Sequence, residues 1–175
     1  MVKIVLMVIA LAGAAVLLYA ATKPDSFRIE RSATMKAPPE KVYAQVNDFR
    51  RWTAWSPWEK IDPQLKRTYN GPEAGKGAAY AWVGNGDVGA GRMEIRESSA
   101  PTKIVIQLDF IKPLEAHNTA EFTFTRQGDA TAVTWAMYGP SPYLSKLLGL
   151  VFDMDRMIGG QFEQGLANLK TITEK

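Results

Sequence analysis

A single histidine and the absence of cysteine limit the chemistry open to this 175-residue chain. Without cysteine there is no thiolate nucleophile, no disulfide framework and no thiolate metal site, and one histidine alone does not make a zinc centre. No metal and no cofactor are expected. His117 is therefore the only side chain that could serve as an imidazole base. Glu115 stands two residues before it, so on a strand both point to the same face. On the concave face of a sheet, Glu115 would orient His117 as proton acceptor or donor, with Tyr138 as an additional hydroxyl. The plainer alternative is a strand-end histidine making a structural hydrogen bond.

Gly84-Asn85-Gly86-Asp87-Val88-Gly89 has the spacing of a dinucleotide fingerprint. That motif works only when a helix N-terminus follows to hold the pyrophosphate. Here Ala90-Gly91-Arg92-Met93-Glu94-Ile95 alternates as a strand, so the glycines are assigned to a hairpin turn with a bulge at Gly89 or Gly91. The net charge is +3, and the densest basic spots (Arg50-Arg51 and Lys66-Arg67) form no continuous stripe. Nucleic acid is not an expected partner.

The heavier signal is apolar. Tyr80, Trp82, Trp135 and Met137 alternate along strand-like segments with Met93 and Phe110, and Met157 and Gln161 lie on one face of a long helical pattern. Indole N–H groups on an aromatic and methionine-rich wall suit a small hydrophobic or amphipathic ligand that needs one or two orienting contacts. These eight residues are the candidate ligand-binding set.

The elements that would position them follow from periodicity. Between Pro142 and Lys170, Met154, Met157, Ile158, Gln161, Phe162, Gly165, Leu166 and Leu169 recur at helical steps, opposite Asp155, Arg156, Glu163, Gln164 and Asn168. Ser141 is placed as the N-cap with Pro142 at the first helical position. Tyr143–Phe152 is apolar all round, and Asp153 is a candidate cap for a second start, so the segment divides there. Core, a lid over a cavity mouth and a membrane-contact face are the three roles open to this apolar piece. Upstream, Ser26–Met35 alternates as a half-buried strand. Ala37-Pro38-Pro39-Glu40 then ends it and opens a short helix, and Arg50–Pro63 carries three of the five tryptophans on a second one. From Leu65 to Tyr138 the period is two, with turns at Asn70-Gly71-Pro72, Gly84–Asp87 and Gln127-Gly128-Asp129. The order predicts an antiparallel sheet of hairpins, packed on one long C-terminal helix.

The chain opens with 18 uncharged residues, Ile4–Ala21, preceded by Lys3 and followed by Lys23. The length suits one membrane crossing, with Tyr19 at the interface. A signal peptide cut after Ala20 or Ala21 would put Leu18 or Tyr19 where a small residue is wanted, which favours an uncleaved anchor. The expected organisation is an anchor over 1–22, a linker over 23–26 and one domain over 27–175. The protein is expected to be single-pass, with the domain outside the cytoplasm.

The strand ending in Ala37-Pro38-Pro39-Glu40-Lys41-Val42, the Asn47-Asp48-Phe49 helix end, Trp52 with Trp55-Ser56-Pro57-Trp58, and the closing Leu166-Ala167-Asn168-Leu169-Lys170 resemble the SRPBCC (START-like) superfamily, in particular its polyketide cyclase/dehydrase and lipid-transport branch. The resemblance spans Phe27 to Lys170. It implies an α+β helix-grip fold, in which a curved antiparallel sheet wraps a C-terminal helix and encloses a cavity for an apolar ligand such as a lipid or a polyketide-like molecule. It does not by itself choose between ligand binding, a cyclase- or hydrolase-type enzyme using His117 and Glu115, and a protein-interaction module, and it names no protein partner.

Overall fold

The computed structural model describes residues 1–175. An N-terminal helix, α1 (Val2–Ala21), precedes strand β1 (Ser26–Met35), helix α2 (Pro39–Val46) and two 3-10 turns at Phe49–Ala54 and Pro57–Lys60. Six strands follow: β2 (Lys66–Asn70), β3 (Ala79–Val83), β4 (Ala90–Ser99), β5 (Lys103–Lys112), β6 (Ala116–Gln127) and β7 (Ala130–Pro140). The chain ends in α3 (Tyr143–Leu148) and α4 (Met154–Thr173).

All seven strands form one antiparallel sheet in the order β1-β7-β6-β5-β4-β3-β2. Six are a plain meander, because each connection is a hairpin. β1 closes the sheet against β7, which brings the two ends of the domain together. The inner face carries Met93 and Ile95 of β4, Ile104, Ile106 and Leu108 of β5, Ala120, Phe122 and Phe124 of β6, and Val133, Trp135 and Met137 of β7. This follows the period-two alternation expected from Leu65 to Tyr138, and α4 packs over the β1–β7 side of the face.

Asp153 caps α4, its side chain accepting from the Arg156 N–H at 2.9 Å, so the apolar segment does divide there. The other cap differs from expectation. Helix α3 starts at Tyr143 with Pro142 in the capping position, and Ser141 lies outside it, its N–H donating to the Asp25 carbonyl. The buried face of α4 also starts later than the periodicity implies. Phe162, Gly165, Leu166 and Leu169 are buried, whereas Met154 and Met157 are exposed, although Asp155 and Gly159 beside them already meet Arg31 of β1. The β3–β4 turn is not a two-residue Asn-Gly hairpin. Asn85 Oδ1 accepts from the Asp87 and Val88 N–H groups, and the left-handed position is Gly89 (φ 67°), not Gly86. A bulge follows between Ala90 and Gly91.

One ion-pair cluster fixes α4 on β1. Arg31 points to the inner face, where its guanidinium crosses Gly159 and reaches Asp155 (2.8 Å) and Glu163 (2.7 Å). A side chain on Gly159 would collide with that guanidinium. The arginine in an otherwise apolar alternation is thus a docking contact.

Candidate ligand-binding site

The space between sheet and helix is filled by aromatic rings at its centre. Trp135 stacks on Phe162 of α4 with ring centroids 4.2 Å apart, and on Phe122 at 4.8 Å. Trp55 and Trp58 meet its edge at 5.6 and 5.7 Å. Gly165 lets α4 come this close, since a Cβ there would sit 2.7 Å from the Trp135 ring. Trp52 and Trp55 donate their indole N–H groups to the Val46 and Gln45 carbonyls, which ties the first 3-10 turn to α2. The Trp135 indole N–H is buried and has no acceptor.

The strand registers arrange the inner face in rows. Phe122 faces Trp135 and Ile104; the next row toward the start of β1 is Met137, Ala120, Ile106 and Ile95; the next is Asn118, Leu108, Met93 and Tyr80; and Trp82 and Phe110 follow. Packing loosens along this series. Phe122, Ile104, Ile106 and Ile95 are fully buried, Leu108 and Met93 are 9% exposed, and Phe110 is only half-buried. The inner face is fully buried at one end and slightly exposed at the end where α1 joins.

Of the eight predicted ligand-binding residues, Tyr80, Trp82, Met93, Phe110, Trp135 and Met137 all lie on the inner face. Gln161 is half-buried on α4, next in sequence to the Phe162 that stacks on Trp135. Met157 is 58% exposed, at the open end. The Trp82 indole N–H is already engaged, donating to the Val88 carbonyl at 3.4 Å.

Two polar groups missed in the sequence flank the grip. Glu59 of the second 3-10 turn accepts from Tyr80 Oη at 2.7 Å and from Arg67 Nε at 2.6 Å, with its own side chain only 6% exposed. Burial, reinforced by this carboxylate, holds the Tyr80 hydroxyl far above the usual phenol range. Asn118 lies on the inner face opposite Gly139, where its amide occupies the space a side chain would fill.

The proposed catalytic residues are on the other side of the sheet. His117 and Tyr138 line a cleft of about 320 Å³ on the outer face, together with Arg96, Gln107 and Thr119. Glu115 approaches His117 Nε2 at 3.5 Å, as their spacing predicts, but the shorter contact is His117 Nδ1 to Asp109 at 2.8 Å. Asp109 also accepts from Arg92 and Gln107. Burial raises the Asp109 pKa, but hydrogen bonds from His117, Gln107 and Arg92 together outweigh it and hold the carboxyl below its ordinary value. The Asp109 hydrogen bond in turn raises the His117 pKa, which favours the imidazolium, a form with no lone pair to accept a proton. The enzymatic alternative needs His117 in the grip; β6 alternation, with Ala120 and Phe122 inward, turns it outward.

The sign of the linkage can be measured. A raised His117 pKa means the pair contributes fully below the unfolded value of about 6.5 and is lost as pH rises through the folded value. The lowered Asp109 pKa means its share is lost only as pH falls through a value below that of a free carboxylate. Because His117 is the sole histidine, its ring-proton NMR titration should show a midpoint above 6.5 that moves back toward 6.5 in Asp109→Asn. An unchanged midpoint would remove Asp109 as the cause.

A curved antiparallel sheet gripping a C-terminal helix, with an apolar inner face, defines the helix-grip class. Residues 26–174 match the family model described as polyketide cyclase / dehydrase and lipid transport, and the chain belongs to that family. No individually curated protein matches it. Among solved structures, it is similar to protein CV1439 from Chromobacterium violaceum (TM-score 0.60, 15% identity, covering 87% of this chain and 99% of that one). It is also similar to the di-domain ARO/CYC BexL from the BE-7585A biosynthetic pathway (TM-score 0.64, 14% identity), spanning 90% of this chain and 53% of BexL. A third is the Aha1 dimer from Colwellia psychrerythraea (TM-score 0.56, 14% identity, covering 85% and 96%). At such identities the likeness shows the fold. Helix α1 is long and apolar enough to cross a membrane, a property it shares with signal sequences.

Proposed function

We propose that this protein is a single-pass, membrane-anchored carrier or receptor whose domain, on the outer side of the membrane, holds a small hydrophobic or amphipathic molecule of the lipid or polyketide type between sheet and α4. The observation that carries the proposal is the loosening of the inner face toward the α1 end. Phe110 is half-buried there and Leu108, Met93 and Trp82 keep 8–9% of their surface, against 0% for Phe122, Ile104, Ile106 and Ile95. Family membership supports the same class of ligand. The floor would be Tyr80, Trp82, Met93, Phe110 and Met137, with Met157 and Gln161 on the α4 side. Trp135 lies beneath this floor, and its free indole N–H would donate to a ligand carbonyl or hydroxyl when the ring stack shifts. Methionine walls suit such a ligand because they repack at low cost.

The test is organic extraction and mass spectrometry of the full chain isolated in a native-membrane polymer disc. A single apolar species near one per chain, enriched over the surrounding lipid, is expected. Only bulk lipid in bulk proportions would contradict the proposal.

A further inference from the structure

The domain exposes large apolar side chains at one end only. Strand registers place Val83, Ala90, Lys112, Ala116, Pro140 and Ser26 along the same end of the sheet. Val83, Ile111 and Leu114, each more than half exposed, stand at that end. Ile61 joins them, since its neighbour Asp62 accepts from the Asn85 N–H in the β3–β4 turn. So do Leu144 of α3, Val151 and Phe152 of the link, and Met154 and Met157 of α4's first turn. The opposite end, with the turns at 71–78, 100–102 and 128–129, exposes no large apolar side chain.

This apolar end is the one from which α1 emerges, and α3 is packed against α1. Tyr143 Oη donates to the Leu17 carbonyl at 2.9 Å, and Lys146 pairs with Asp25 just beyond the helix. Leu17 is four residues from the end of α1, so α3 meets it roughly 6 Å inside that end at the ordinary helical rise. An amphipathic segment resting in a bilayer surface sits at roughly 5–10 Å depth. Isolated exposed apolar residues are ordinary on protein surfaces, but a set collected on one end and continuous with a spanning-length apolar helix calls for an apolar partner.

We infer that this end of the domain is a bilayer-contact face, formed by α3, the 149–153 link, the first turn of α4 and the tips at Val83 and Ile111–Leu114. The inference rests on the proposed function in one respect: because the grip loosens at this same end, the ligand would pass between the acyl layer and the sheet without crossing water. Leu147, Leu148 and Leu150 are half-buried beneath the face and belong to its support, whereas Leu144, Val151 and Phe152 form its contact surface.

Because the chain has no cysteine, the face can be probed one position at a time. The full chain, reconstituted in phosphatidylcholine vesicles, would carry an environment-sensitive dye on Val151→Cys, on Phe152→Cys or, as a control at the far end, on Asp129→Cys. Blue-shifted emission at 151 and 152, quenched by nitroxide-labelled lipid, with neither effect at 129, is the expected result. Dye at 151 and 152 as hydrated as at 129, with native circular dichroism, would overturn the inference. The two proposals fail separately. Hydrated dye on a protein that still carries its apolar molecule removes the bilayer face alone. Lipid-embedded dye on a protein that carries nothing sustains the face and removes the ligand.

Discussion

Trp135→Ala should destabilise the domain by about 3–5 kcal/mol, the range for removing a large aromatic from a packed core. The ring is 3% exposed, stacks on both Phe122 and Phe162, and touches Trp55 and Trp58. Its loss would therefore loosen the sheet, α4 and both 3-10 turns together. Trp135→Phe separates the two things this side chain does. It keeps an aromatic surface on Phe162 but removes an indole N–H that has no acceptor, and such a buried group costs about 1–3 kcal/mol. Urea unfolding should thus place Trp135→Phe near the parent protein, far above Trp135→Ala. If the two variants lose similar stability, the N–H is satisfied in solution and the stacking account is wrong.

Glu59→Ala is expected to have the second largest effect, about 2–3 kcal/mol. Breaking a buried pair leaves its partners unmatched and costs about 3–5 kcal/mol when both are buried. Arg67 is 27% exposed and can partly rehydrate, which lowers the figure, but Tyr80 Oη is left in an apolar wall. Glu59→Gln should lose less, since its carbonyl still accepts from Tyr80. Chemical denaturation of the three proteins at constant pH checks the order; equal stability of Glu59→Ala and the parent would show that the Tyr80 hydroxyl reaches water.

These two sites differ in how far the sequence announced them. Period two along β4 to β7 and period 3.6 along α4 are set by which side chains must leave water, so sheet, helix and the inward direction of Trp135, Met137 and Met93 could be read directly. Asp153 was legible as a second helix start because capping chemistry is local. Glu59 was not, because it lies in a 3-10 turn with no periodicity, and its partners Arg67 and Tyr80 come from two different strands. Asp109 was hidden for a similar reason. It stands opposite His117 only through the β5–β6 register, whereas Glu115 is two residues away in sequence. Arg31 stands on the apolar side of β1, and its partners Asp155 and Glu163 come from α4, more than 120 residues away in sequence. Met154 and Met157 keep the helical period but stay exposed, because periodicity does not record how far along α4 the packing reaches.

The apolar end gains its meaning from the same limit. Sequence shows that Tyr143–Phe152 is apolar, but only the fold brings it beside α1 and onto the same end as Val83 and Ile111.

The central claim, that a hydrophobic molecule lies between the loosened rows and α4, is tested most directly by photo-crosslinking. The full chain in vesicles containing a diazirine-bearing fatty acid would be irradiated, digested and mapped. Adducts on the inner-face positions of β3 to β5, around Trp82, Met93 and Leu108, and on α4 near Met157 and Gln161 are predicted. Adducts confined to α1 and α3, with none on the inner face of the sheet, would contradict the claim.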